Sequence, residues 1–190
     1  MDNLGMSTAS LSKPIQKLVD FLETLTQRAT IEELGQFLTG LDITSKDLEP
    51  YTVFGDQSYR RNMIRENEWY ELLCICWQSG QRSPIHNHAG STCGLKIMQG
   101  TATETTFDFT PSGQIKAVDS KDCLEGHVCS SQDEEIHQVS NLQATDSKLV
   151  TLHIYSPPLR QMDTYSLHGR ETEVYRPTNQ LVSCHFGDGI

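Results

Sequence analysis

"GQRSPIHNHAGSTCGLKIMQG" spans residues 80–100 and places His86 and His88 one residue apart, with Cys93 five residues further on. A strand sends residues i and i+2 to the same face, so two imidazoles at this spacing enter one space. Ser83 and Pro84 before them mark the start of a strand at a barrel rim. His-x-His on its own does not separate a metal site from a packed pair. The decision rests on what the rest of the chain supplies.

The chain has 190 residues, a length suited to one hydrophobic core. Residues 1–12 read as a flexible polar lead-in and residues 13–190 as a single domain. Charged residues at 21% and hydrophobic residues at 36% describe a soluble protein, and no apolar run approaches the roughly 18 residues of a membrane span. The start of the chain has neither a basic n-region nor an apolar h-region, so the cytoplasm is the expected location. Six cysteines are accordingly expected as thiols, not as a disulfide framework. A net charge of −10 argues against nucleic acid or a membrane surface as a partner. One arginine in a pocket can still hold a carboxylate.

Ile15, Leu18, Val19, Leu22 and Leu25 recur at helical spacing, with Ser12 as the expected cap and Pro14 in the first turn. A second helix is predicted over "TIEELGQFLTGL", where Thr30 and Glu33 have the spacing of a capping box. A short third turn covers "SKDLEP". From about Glu68 the period changes to short β-branched or aromatic runs broken by Gly, Pro, Ser and Asn, ending in "QLVSCHF". The expected architecture is mainly β, a sandwich or barrel of mostly antiparallel strands carrying N-terminal helices.

The intervals from Gly80 through His86, His88 and Cys93 to Gly100 resemble the first cupin motif, with cysteine where most cupins carry a glutamate ligand. "GHVCSSQDEEIHQVSN" resembles the second motif through Gly126, His137 and Asn141. Gln132 and Glu134 replace its usual proline and glycine, so the turn there must be built differently. Three neutral imidazoles without a carboxylate leave a divalent ion its full charge, which favours an anionic exogenous ligand. Imidazole also serves zinc, nickel and copper, so the ligands alone do not choose the metal.

Four blocks carry a closer resemblance: "YRRN" at 59–62, "HNHAGSTCGLKIMQGTATETTF" from His86, "IHQVSN" from Ile136 and "LHIYSPP" at 152–158. Together they resemble the cysteine dioxygenases, the thiol dioxygenase branch of the cupins. The resemblance implies a jelly-roll cupin fold and one Fe(II) per chain on His86, His88 and His137. It implies conversion of L-cysteine and dioxygen to cysteine sulfinic acid. Arg61 is then the carboxylate-binding residue, with Tyr59 and Asn62 fixing its register and Arg60 a surface charge. Tyr155 lies near substrate, oriented by His153, with Thr151 standing where the family usually has a serine. Cys93 is not a ligand but the partner of Tyr155 in a thioether, and the Ser156–Pro157 bond is cis.

Two other readings stay open at this point: a dioxygenase of another small thiol such as 3-mercaptopropionate, and a non-catalytic metal-binding cupin. A monomer is expected. Cys74 and Cys76 are expected as core thiols, and Cys123 and Cys129 make a similarly poor case as metal ligands. His127, His168 and His185 show no neighbouring constellation in the sequence, and Cys184 is placed only near the C-terminus.

Overall fold

A computed structural model describes residues 11–133 and 135–182. The two apolar stripes form α1, Lys13–Leu22, and α2, Ile31–Thr39. Thr30 Oγ1 accepts the Glu33 N–H at 3.1 Å and Glu33 Oε2 accepts the Thr30 N–H at 2.8 Å, completing the capping box. Ser12 occupies the N-cap of α1 without a side-chain capping bond. Pro14 stands at the second helical position and has no N–H, which removes one of the two donors a cap could accept. "SKDLEP" lies within a 3-10 helix, Ser45–Tyr51.

The strands in chain order are β1 (Arg60–Glu66), β2 (Glu71–Trp77), β3 (Ile85–His86), β4 (Thr92–Gln99), β5 (Ala102–Phe109) and β6 (Ile115–Cys123). They continue with β7 (Val128–Gln132), β8 (Ile136–Ser140), β9 (Leu149–Ser156), β10 (Met162–Tyr165), β11 (Thr172–Tyr175) and β12 (Gln180–Leu181). One six-stranded sheet runs β12-β1-β2-β9-β4-β7 and the other β11-β10-β3-β8-β5-β6. The β1 and β12 pair is parallel. The mainly β architecture with N-terminal helices is the expected one. β1 starts earlier than the periodicity predicts, because "RRNMIRE" carries little β-branched alternation and is set by its ladder to β2. Among the described residues no helix is long and apolar enough to cross a membrane.

β2 and β9 are buried along their whole length, so both faces of the first sheet are covered. Leu72, Cys74 and Cys76, with Val150, Leu152 and Ile154, pack against the helices in one cluster. Leu73, Ile75 and Trp77, with Leu149 and Tyr155, belong to a second cluster on the face turned toward the other sheet. This period of two sends Thr151, His153 and Tyr155 inward together. The imidazoles therefore collect between the sheets, while the helical side is mainly apolar, with Lys96 held there by the Leu38 and Leu41 carbonyls.

α2 lies close on β4 because Gly94 has no side chain. A Cβ there would stand 2.9 Å from Leu38 Cδ1 and 3.1 Å from Leu34 Cβ. Gly94→Ala is expected to destabilise the fold by about 1–3 kcal/mol through overpacking. A lower denaturation midpoint at unchanged slope is the readout.

Candidate metal centre

β3 is only two residues long, and its His86 pairs directly with His137 of β8. His88 lies beyond the end of β3, so a continuous strand is not what aims it. Its N–H donates to Asp133 O at 2.9 Å, and its carbonyl accepts the Ser91 N–H at 2.9 Å. Asp133 takes a positive φ of 53° in the turn where the usual proline and glycine are missing. Glu134 lies outside the described residues.

The three imidazoles are buried, and their candidate ligand atoms lie within 4.8 Å of one another. Each ring turns Nδ1 outward: His86 to Pro84 O at 2.9 Å, His88 to Ser131 Oγ at 3.4 Å, His137 to Glu104 Oε1 at 3.0 Å. Nε2 is thereby left for the shared centre. His88 Nε2 is buried with no hydrogen-bond partner, an arrangement that demands an explanation in a native interior. A metal ion supplies it, since ligating histidines characteristically fix their second nitrogen on an outer partner. Three nitrogen donors fit a mononuclear divalent site with positions left open.

Burial, reinforced by the charge His137 would carry, holds the His86 pKa down to about 3. Burial likewise keeps His88 well below the usual imidazole range. Both rings are therefore neutral and ready to ligate at neutral pH. Burial would raise the Glu104 carboxyl, but bonds from His137 and from Lys121 Nζ at 3.1 Å outweigh it and bring the pKa to about 2. An ionised Glu104 orients His137 and returns part of the negative charge that the ligand set lacks. Sequence reading passed over Glu104. The available signal was its position two residues from buried Ala102, on the inward face of β5.

Arg61 pairs with Ile75 across β1 and β2 and faces the same cavity. It is 5% exposed, and its Nη2 donates to Glu71 Oε1 at 3.0 Å. Its Nε donates to Asn179 Oδ1 at 2.8 Å, while Asn179 Nδ2 donates to Glu71 Oε2 at 2.7 Å. The Leu159 N–H adds a bond to Glu71 Oε1 at 3.1 Å. Two of the five guanidinium N–H donors are spent on holding its plane. Arg60 is half-buried outside this cavity, its Nε donating to Asn62 Oδ1 at 2.9 Å. Tyr59 lines the cavity and stacks on Trp77 at 4.4 Å between ring centroids.

Cys93 on β4 faces Tyr155 on β9 in direct register. Burial raises the Cys93 thiol to about 12 and, with Cys93 beside it, pushes the Tyr155 hydroxyl well above its ordinary range. The Tyr155 ring lies 5.3 Å from the Arg61 guanidinium carbon. Behind it runs a chain of polar groups: Tyr155 hydroxyl to His153 Nδ1 at 3.3 Å, His153 Nε2 to Thr151 Oγ1 at 2.9 Å. Trp77 Nε1 then donates to Thr151 Oγ1 at 2.9 Å. Burial, with Arg61 nearby, keeps His153 neutral, so its ring passes one proton position along the chain. The Ser156–Pro157 bond is cis.

Cys74 and Cys76 are fully buried in β2. His127, which showed no constellation in the sequence, does have one: Cys123 and Cys129 lie with it in a second cluster. The turn between β6 and β7 creates that proximity. Cys184 and His185 lie outside the described residues.

The family model described as "Cysteine dioxygenase type I" matches residues 2–168. "Cysteine dioxygenase type 1" of Danio rerio is 29% identical over 171 residues, covering 84% of either chain. The Homo sapiens protein of the same name is 30% identical over 162 residues, 80% of either chain. A solved Klebsiella pneumoniae protein with a double-stranded β-helix domain aligns at 11% identity and a TM-score of 0.51. That alignment covers 75% of this chain and 94% of the other, and it speaks for the fold. A family match of this extent, joined to three buried and converging imidazoles, establishes that the chain belongs to the cysteine dioxygenase type I family.

Proposed function

We propose that the chain holds one Fe(II) on His86, His88 and His137 and oxidises L-cysteine with dioxygen to cysteine sulfinic acid. One observation carries this reading: the cavity lined by the His86 and His137 imidazoles is lined by Arg61 as well, and His88 clusters with those two rings. Both oxygen atoms of dioxygen are added to sulfur, which gives up the four electrons itself, so no further reductant is needed. Iron held by His86, His88 and His137 would supply the redox chemistry that couples thiol oxidation to reduction of dioxygen.

The other steps fall to the chain's own side chains. Arg61 takes the substrate carboxylate through donors that Glu71 and Asn179 do not use, in a plane those two residues have already fixed. The Tyr155 hydroxyl, held by His153 and through it by Thr151, orients the amino acid over the centre. Tyr59, Trp77, Val139 and Met162 wall the cavity and exclude water. Cys93 Sγ joins an ortho carbon of Tyr155 with loss of two hydrogens to dioxygen, a reading supported by their direct register. The enzyme acts as a cytoplasmic monomer, with residues 13–190 as one domain, on a small thiol and not on nucleic acid or membrane.

Oxygen uptake by anaerobically iron-loaded protein is expected with L-cysteine, with the sulfinate as product by mass. Uptake with 3-mercaptopropionate alone would shift the substrate to a thiol lacking the amine. Silence with both, despite full iron, would leave a non-catalytic cupin.

Arg61→Ala is expected to raise KM for cysteine about 10- to 100-fold, the scale of bonds to a charged group, with iron content unchanged. It also leaves the buried Glu71 carboxylate without its counter-charge, at a cost of about 3–5 kcal/mol in stability. Adding Glu71→Gln recovers most of that stability but not KM, which separates the two effects in denaturation and steady-state kinetics. Intact mass after turnover is expected to fall by two hydrogens, and Cys93→Ser abolishes the fall.

A further inference from the structure

The turn between β6 and β7, where the chain passes from one sheet to the other, brings together three metal-ligating side chains that the dioxygenase reading does not use. Cys123 ends β6, Cys129 belongs to β7, and the turn between them is closed by the His127 N–H donating to Leu124 O at 2.9 Å. Gly126 holds its third position at φ 85°, the conformation that a type II turn requires there. Ile97 of β4 clamps the turn from the neighbouring sheet position. Its N–H donates to His127 O at 2.9 Å and its carbonyl accepts the Gly126 N–H at 2.8 Å. The loop is therefore fixed to the barrel, not left to sample many positions.

In that frame Cys123 Sγ and Cys129 Sγ stand 3.8 Å apart, and a ring nitrogen of His127 lies within 4.8 Å of both. Two thiolates bound to one tetrahedral zinc ion at about 2.3 Å each are separated by about 3.8 Å. A disulfide instead needs about 2.05 Å, well short of the observed spacing. Cys74 and Cys76 stand 3.9 Å apart as well, yet no third donor clusters with them among the described residues. The imidazole converging on the pair is what distinguishes the turn between β6 and β7. Cys123 is buried opposite Ala102, Cys129 is half-buried, and His127 is exposed. The cluster thus has Ala102 on its buried side, the Glu104 and Lys121 ion pair beside its two thiols, and an open mouth through which water completes the tetrahedron.

We infer that Cys123, His127 and Cys129 form a second metal site, separate from the three-imidazole centre, that takes zinc. Two zinc–sulfur bonds form as two thiol protons leave, and His127 gives the third bond as a neutral imidazole. No redox partner is required. The two centres sort metals by softness, since the turn offers two sulfurs and the three-imidazole centre is built of nitrogen donors.

The test titrates the full-length chain, reduced and kept anaerobic, with Co2+ as a visible stand-in for zinc. Two ions per chain are expected, only one of them giving thiolate-to-cobalt charge-transfer absorption in the near ultraviolet. One equivalent of Zn2+ should bleach that absorption. Cys123→Ser/Cys129→Ser should lose both the absorption and one ion, whereas His137→Ala should keep the absorption. His127→Ala touches only the surface ligand and leaves the core intact. It should weaken Zn2+ by more than about 100-fold, beyond the ~10–100-fold typical of losing an outer-sphere partner. Reduced wild-type protein without the absorption would overturn the assignment. So would absorption that survives in the double-serine variant, or zinc affinity indifferent to His127.

Discussion

The pleat of two strands governs most of what this molecule can do. β2 and β9 are covered on both faces, so their alternate residues are committed to different environments: one set to the helices, the other to the space between the sheets. A slip of one residue would bring His153 and Tyr155 under α1 and α2 and turn Leu152 and Ile154 into the cavity. The penalty would fall on both sides at once, with polar groups stranded among leucines and apolar ones facing imidazoles. Register here is a condition of both stability and chemistry. β1 inherits it through Arg61 opposite Ile75, and β4 through Cys93 opposite Tyr155.

Inside that frame the buried polar groups are arranged in pairs whose charges balance. Glu71 lies under Arg61, and Glu104 lies between His137 and Lys121. Removing either partner of the fully buried Arg61 and Glu71 pair costs far more than the pair contributes as a whole, because the survivor is left unsolvated, whereas Lys121 is half exposed. His86 and His88 stay neutral through burial, so the centre accepts a cation without first shedding protons from either ring. Glu104 then acts at one remove, through the ring it orients.

How far the sequence could be read follows from how local each signal is. The helices were legible because their stripes and the Thr30 and Glu33 pair lie within a few turns of one another. The three imidazoles and Arg61 were legible because each sits in a short block of distinctive spacing. Glu71 was not, although a carboxylate heading a wholly apolar strand was a visible anomaly that asked for a cation. Asn179 offered no such anomaly: a plain amide outside the 2–168 match, it matters only because β12 runs parallel to β1 and returns it to Arg61. The Cys123, His127 and Cys129 cluster depended on a single glycine turn and its clamp to Ile97, neither of which spacing alone conveys.

Asn179 also ties the edge of the first sheet to the cavity. β12 is a two-residue edge strand, and it brings Asn179 to bridge Arg61 and Glu71. Short exposed edges open at a smaller free energy than strands covered on both faces. Fraying of β12 would therefore release one of the two groups that fix the guanidinium while leaving the three imidazoles and their outer partners in place.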